Sequence, residues 1–210
     1  MSTQGNRIVR HTAPERVNHW LVALLFVLTA LGGLALFDPF FFWLTNLFGS
    51  PTWSRIIHPF LGVLLFLFFL GLTARWVGDN RLTANDRQWL RQIFDVIKKR
   101  EEKLPEAGRF NAGQKCVFWL QLLTLCLLLV TGVIIWRPWF VPAFSIPVIR
   151  VAVVVHSCSA FLLIAAILVH IYAAFWVKGS IKGMVTGLVS RAWAKKFHPG
   201  WYRQVSGGGK

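Results

Sequence analysis

The sequence predicts an all-α membrane protein, a bundle of four transmembrane helices, on three observations. Of its 210 residues 55% are hydrophobic, and the mean hydropathy is +0.54. Only 15% are charged, yet the formal net charge is +15. The charge must therefore sit in patches between long apolar runs, a membrane pattern. A nucleic-acid-binding protein would also be basic, but its basic residues would share one polar face. Here they flank apolar stretches, so no nucleic-acid partner is expected and the partner surface is lipid.

Four apolar segments are long enough to cross a hydrocarbon core of about 30 Å, which takes about 20 residues. They run over residues 19–37, 57–77, 116–136 and 149–177. Each must be helical, because lipid offers backbone groups no partners. Trp20, Trp43, Trp53, Trp76, Trp119, Trp136, Trp139 and Trp176 cluster near the segment ends as an interfacial aromatic belt. Residues 1–18 are polar and no cleavage site follows the first apolar run, so that run is expected to stay as a helix. The whole chain, 1–210, reads as one membrane domain with no internal repeat.

Orientation follows from Lys and Arg. The N-terminal tail, the loop over residues 75–115 and the tail after residue 177 hold 20 of them, whereas the other two loops hold only Arg55, Arg137 and Arg150. This bias predicts that both termini are cytoplasmic. Two stretches on that side, about 85–103 and 181–196, show amphipathic spacing and are expected to lie on the membrane surface or against a partner. Gly207-Gly208-Gly209 reads as a flexible end.

Chemistry is concentrated in four of the six histidines. His11 and His198 lie in polar tails. His19, His58, His156 and His170 lie in or at the edges of spanning segments, where an ionisable residue is costly and usually functional. His156 and His170 are 14 residues apart. At about 100° per residue that comes within about 40° of four full turns, so they share one helix face, roughly 21 Å apart along the axis. Helix direction then sets depth: His19 and His170 fall at the cytoplasmic edge, His58 and His156 at the periplasmic edge. Two bis-histidine pairs follow, each suited to the iron of a haem b held by axial ligands alone.

Other chemistries fit less well. No C-x-x-C-H is present, so covalent c-type attachment is excluded. Cys116, Cys126 and Cys158 form no ligand pattern and read as small buried residues. Two histidines at each depth, without carboxylate or thiolate, make a poor zinc set. The absence of Asp and Glu from the interiors of the four segments argues against an ion transporter. Gly62, Ala160, Ala173 and Ala174 follow the histidines by about a turn, and Gly32, Gly33 and Gly132 thin other helices. Such residues admit a flat macrocycle, but they also serve cofactor-free helix packing.

Two haems stacked across the bilayer suggest an electron wire that ends at a lipid-soluble quinone. Asn111 and Gln114, at the entry to the third segment, could donate to a quinone oxygen, with Gly113 allowing close approach; equally, Asn111 could cap the helix. Arg55, Arg137 and Arg150 are the candidate partners for haem propionates on the periplasmic side, or else interfacial snorkelling residues.

These residues resemble a known family, the cytochrome b (gamma) subunits of membrane-bound respiratory formate dehydrogenase. The resemblance rests on Ile8-Val9-Arg10 with Arg16 and His19-Trp20, on Arg55-Ile56-Ile57-His58-Pro59-Phe60, and on Phe110-Asn111-Ala112-Gly113-Gln114-Lys115. It continues in Thr131-Gly132-Val133-Ile134-Ile135-Trp136-Arg137-Pro138, His156, the run His170–Gly179 and the run Trp193–Arg203. It implies a dihaem subunit of the bacterial inner membrane, not itself the formate-oxidising chain. Its implied partners are an iron–sulfur (beta) subunit with its own membrane helix and a molybdenum or tungsten (alpha) subunit. The resemblance further implies reduction of menaquinone or ubiquinone at the cytoplasmic side, at Asn111, Gly113 and His170. The histidine pairs alone would equally suit the cytochrome b of a hydrogenase or another molybdoenzyme. A non-redox membrane anchor or transporter is the alternative of a different class.

Overall fold

The computed structural model describes residues 6–98 and 104–207. Four long helices match the four apolar segments: α1 (Ala13–Phe37), α2 (Pro51–Trp76), α5 (Ala112–Ile135) and α6 (Ile146–Trp176). The shorter helices are α3 (Ala84–Arg91), α4 (Ile93–Ile97), α7 (Ser180–Thr186), α8 (Arg191–Phe197) and α9 (Pro199–Gly207). Strands β1 (Arg7–Val9) and β2 (Leu188–Ser190) and two 3-10 helices, Pro39–Phe48 and Val141–Ala143, complete the set of described elements.

Each long helix starts three to six residues before the apolar segment, because hydropathy registers only the lipid-facing part. The added turns of α1, α2 and α5 carry polar side chains that cap them, whereas α6 adds the apolar Ile146-Pro147-Val148. The Glu15 carboxylate accepts from the Thr12 backbone N–H at 2.7 Å and from its hydroxyl at 3.1 Å. Ser50 accepts from the Trp53 N–H at 3.2 Å, ahead of Pro51 at the first helical position. Asn111 and Gln114 cap α5 reciprocally, each side-chain oxygen accepting the other's backbone N–H at 2.9 and 3.0 Å.

The described chain divides into two compact units. One comprises residues 17–74 and 120–169, and so holds parts of all four long helices. Its core is Leu65 and Phe69 of α2, Leu125 of α5 and Leu163 of α6, packed by Val22, Leu25 and Phe26 of α1. Small residues bring the helices close. At Gly71 an added Cβ would lie 2.8 Å from Asn18 Nδ2. Thr124 is buried and returns its hydroxyl to the Leu120 carbonyl at 2.8 Å. Leu24, Leu67, Leu123, Val154 and Leu168 stand exposed around this unit, an apolar surface that belongs in lipid.

The second unit gathers the described residues of 6–16, 75–119 and 170–207. These are the three basic segments. The antiparallel pair β1–β2 sets Ile8 opposite Val189. Val189, Ala194 and Trp201 form the core, with Ile8, Trp193 and Tyr202 packed on it. The Arg10 guanidinium lies 4.6 Å from the Trp201 ring and 5.5 Å from that of Phe110. Burial first, and then the neighbouring Arg109 charge, push its pKa down to about 9, against the pull of Asp79 and Glu15. Arg109 in turn reaches Glu15 at 2.9 Å and Asp79 at 2.8 Å. Lys115 and Asp86 pair at 2.7 Å, both buried.

The two amphipathic stretches are corrected in detail. The first is broken at Gln92 into α3 and α4, and its residues 99–103 lie outside the described residues. The second is not one helix. Gly187 ends α7 with φ +80, a left-handed conformation, and the chain then pairs as β2 before α8. A Cβ at Gly187 would fall 2.6 Å from the His11 carbonyl oxygen, so the close approach of the N-terminal tail also requires glycine there. Most of the glycine-rich end, residues 208–210, lies outside the described residues.

Candidate haem site

Within the four-helix unit an apolar cavity of about 610 Å³ opens between the long helices. That is the size range of small-molecule and cofactor sites, roughly 300–1,000 Å³. His58 from α2 and His156 from α6 both line it, with ring centroids 6.4 Å apart and planes at 69°. An imidazole–metal bond is about 2.0–2.1 Å and the ring centre lies ~1.1 Å further back, so two imidazoles across one metal hold their centroids roughly 6.3 Å apart. The observed spacing suits that arrangement.

The polar partners select the tautomer. His58 Nδ1 lies 3.1 Å from the Thr29 carbonyl oxygen, which can only accept. His156 Nδ1 lies 2.9 Å from Thr131 Oγ1. The Thr131 hydroxyl donates to the Leu127 carbonyl at 2.6 Å, so its oxygen accepts from the ring. Both Nδ1 atoms therefore carry the proton, and both Nε2 lone pairs stay available to a metal.

Glycines make room for the rings. A Cβ at Gly33 would lie 3.1 Å from His58 Cε1, and one at Gly132 would lie 3.4 Å from His156 Cε1. Gly32 faces His58 Nδ1 at 3.5 Å in the same sense. Among the described residues no three His, Cys, Asp or Glu side chains gather around a common point. A donor set of two imidazoles over an apolar cavity fits a macrocycle that brings its own equatorial nitrogens, and so these residues fit haem b.

The other site residues are placed separately. His19 sits on α1, half-buried, its ring edge-on to Trp20 at 5.4 Å. His170 sits half-buried on α6. The structure brings His58 and His156 together; His19 and His170 fall in different compact units. Asn111 and Gln114 spend their side-chain oxygens on the α5 cap, which leaves their amide NH₂ groups as donors. An added Cβ at Gly113 would meet the Trp89 ring at 3.3 Å, so close approach there serves Trp89. Thr29 and Thr131 were not among the expected site residues. Thr131 carried a signal, a hydroxyl beside Gly132 within an apolar run; the Thr29 carbonyl carried none, being backbone.

Apolar spanning helices with paired imidazoles on a cavity define a membrane cytochrome b. Residues 10–187 match the family model described as prokaryotic cytochrome b561, and the chain belongs to that family. It is 52% identical over 198 residues to the formate dehydrogenase cytochrome b556(fdo) subunit of Escherichia coli (strain K12), covering 94% of this chain and 93% of that one. It is 48% identical over 202 residues to the formate dehydrogenase cytochrome b556 subunit of Haemophilus influenzae, covering 96% and 85%. A further relative is the nitrate-inducible formate dehydrogenase cytochrome b556(Fdn) subunit of Escherichia coli (strain K12), 46% identical over 203 residues, covering 97% and 94%. The chain is a multi-pass membrane cytochrome b, an electron-transfer subunit of the bacterial inner membrane.

Proposed function

We propose that this chain is the membrane subunit of a formate dehydrogenase complex that delivers electrons to a quinone. The observation that carries the reading is the His58–His156 pair, with both Nδ1 atoms satisfied by protein acceptors at hydrogen-bond distance. Two haems b, one held by His58 and His156 and one by His19 and His170, would supply reversible one-electron transfer across the bilayer. The relatives' names, all formate dehydrogenase cytochrome subunits at 46–52% identity, favour this complex over that of a hydrogenase.

The residues divide the work. His58 and His156 fix an iron with neutral imidazoles, and Thr29 and Thr131 hold their tautomers. The largely apolar cavity wall would limit the access of water to the iron, which favours outer-sphere transfer over ligand exchange. At the proposed quinone end, the free amide groups of Asn111 and Gln114 offer hydrogen bonds to a quinone oxygen, beside Gly113 and His170. The 20 Lys and Arg of the three basic segments support a cytoplasmic side for that end. An iron–sulfur partner with its own membrane helix would dock at the periplasmic end and receive electrons from a molybdenum or tungsten subunit. Quinone protonation from the cytoplasm then needs no proton channel, in keeping with spanning segments whose interiors hold no Asp or Glu.

The test is haem stoichiometry in the purified complex. Wild type should carry two haems b per chain by pyridine haemochrome. His58→Ala should carry one and keep a quinol-reducible α-band. A wild-type chain with no α-band, or a folded His58→Ala chain with undiminished haem, overturns the reading.

A further inference from the structure

The charge around the cavity is unbalanced. Of all the residues lining it, Arg55 and Arg137 alone carry a formal charge at neutral pH. Arg55 lies one turn before His58 near the start of α2, and Arg137 lies just beyond the end of α5. Both helix ends belong to the side that holds only three cations. Neither guanidinium has an ion-pair partner among the described residues. The one acid between residues 17 and 74 is Asp38, and its carboxylate caps the Phe40 N–H at 2.9 Å. The segment 120–169 holds none. Arg150, the third cation of this side, does not line the cavity.

Arg55 and Arg137 are exposed, so neither is a stranded buried charge. They are the two cations on the wall of an otherwise apolar cavity to which the chain supplies no carboxylate, and an anionic end on whatever fills it would meet guanidinium donors there. We propose that Arg55 and Arg137 are the carboxylate-binding end of this site and pair with the two propionates of the haem held by His58 and His156, whereas Arg150 takes no part. The assignment rests on the function proposed above and deepens it. It orients the occupant: the apolar edge goes toward the wall formed by Leu65, Leu125 and Leu163, and the acid edge toward the loops. Guanidinium forks suit carboxylates bidentately, so lysine at either position would keep the charge but lose the paired geometry. A nearby cation also stabilises the iron in its reduced, more electron-rich state, so loss of the arginines lowers the midpoint potential.

The experiment uses the intact complex with Arg55→Gln, Arg137→Gln, the double variant, the double lysine variant and Arg150→Gln. Haem content is read by pyridine haemochrome, and midpoint potentials by redox titration of the α-band. The double glutamine variant is expected to shift one of the two potentials downward, the same component that His58→Ala removes, and to lose that haem faster on detergent washing. The double lysine variant should recover part of the shift, and Arg150→Gln should leave both potentials in place. An unmoved potential in the folded double glutamine variant, or an equal shift from Arg150→Gln, overturns the propionate assignment; the second result would mean that these arginines act as surface charges toward lipid phosphates. A folded His58→Ala chain that keeps all its haem overturns the underlying reading instead, so the two failures are distinguishable.

Discussion

Thr131 and His156, on facing helices, meet at 2.9 Å between hydroxyl oxygen and Nδ1, and the direction of that bond is fixed because the same hydroxyl donates to Leu127. One turn of α5 thus sets the protonation state of a side chain on α6. Replacing Thr131 by Val keeps the shape and removes the acceptor. Haem retention at this pair is expected to weaken about tenfold to hundredfold, read as haem loss on dilution in detergent. Unchanged retention would show that the hydroxyl is idle.

Glycine replacement should rank with clearance. At Gly33 a new Cβ would sit 3.1 Å from His58 Cε1, and at Gly132 it would sit 3.4 Å from His156 Cε1. Gly33→Ala is expected to cost about 1–3 kcal/mol of packing and to lower haem content; Gly132→Ala should cost less. Equal haem content in both variants would contradict the ranking.

The buried pair Lys115–Asp86 ties the first turn of α5 to α3 at 2.7 Å. Burial alone would raise the Asp86 pKa, but hydrogen bonds from Lys115 and Thr83 hold it below the ordinary value. A depressed carboxyl contributes fully at neutral pH, and that contribution is lost as pH falls through its folded pKa. Lys115→Met strands the carboxylate and should destabilise the protein by roughly 3–5 kcal/mol, seen as a lowered thermal midpoint. Lys115→Met with Asp86→Leu should recover much of the loss.

His198 loses stability in the same direction, as a base kept neutral by burial. Its Nδ1–H donates to the Gly108 carbonyl at 2.9 Å, and its Nε2 faces the Arg10 guanidinium at 3.4 Å. Burial, then the Arg10 charge, push its pKa down to about 3, with the Gly108 contact opposing. Its unfolded value is about 6.5, so the unfolded chain binds the proton first. Stability should therefore fall between about pH 6.5 and 3, with a slope approaching 1.4 kcal/mol per pH unit. Subtracting the His198→Gln profile from wild type isolates the slope, and a flat difference would refute it.

Arg109 clamps the loop before Asn111 to Glu15 at 2.9 Å and to Asp79 at 2.8 Å. If that loop holds quinone, Arg109→Gln should raise the quinone KM severalfold while formate still reduces the haems, and Arg109→Lys should rescue part of it. A change in kcat alone would place Arg109 outside quinone positioning.

The four spans were legible because twenty-residue apolar runs have one solution in lipid. The His58–His156 encounter was legible because helix direction sets depth. Other features were hidden for physical reasons. Strands β1 and β2 are three residues each, and neither has a strand pattern without the other. The break at Gly187 was hidden because its partner is the His11 carbonyl, far away in sequence. The α5 cap was open to two readings, and the structure shows the cap itself, with the amide nitrogens still free for the other role.

The pairing of Ile8 with Val189 has a consequence for biogenesis. A ribosome makes the first strand before any of the long helices and the second only after the last long helix has emerged. Until then the N-terminal strand has no edge to join, and Arg10 lacks the Trp201 face that covers it. A nascent chain stalled anywhere before residue 188 should therefore expose its N-terminal tail to protease, and protection should arrive in one late step.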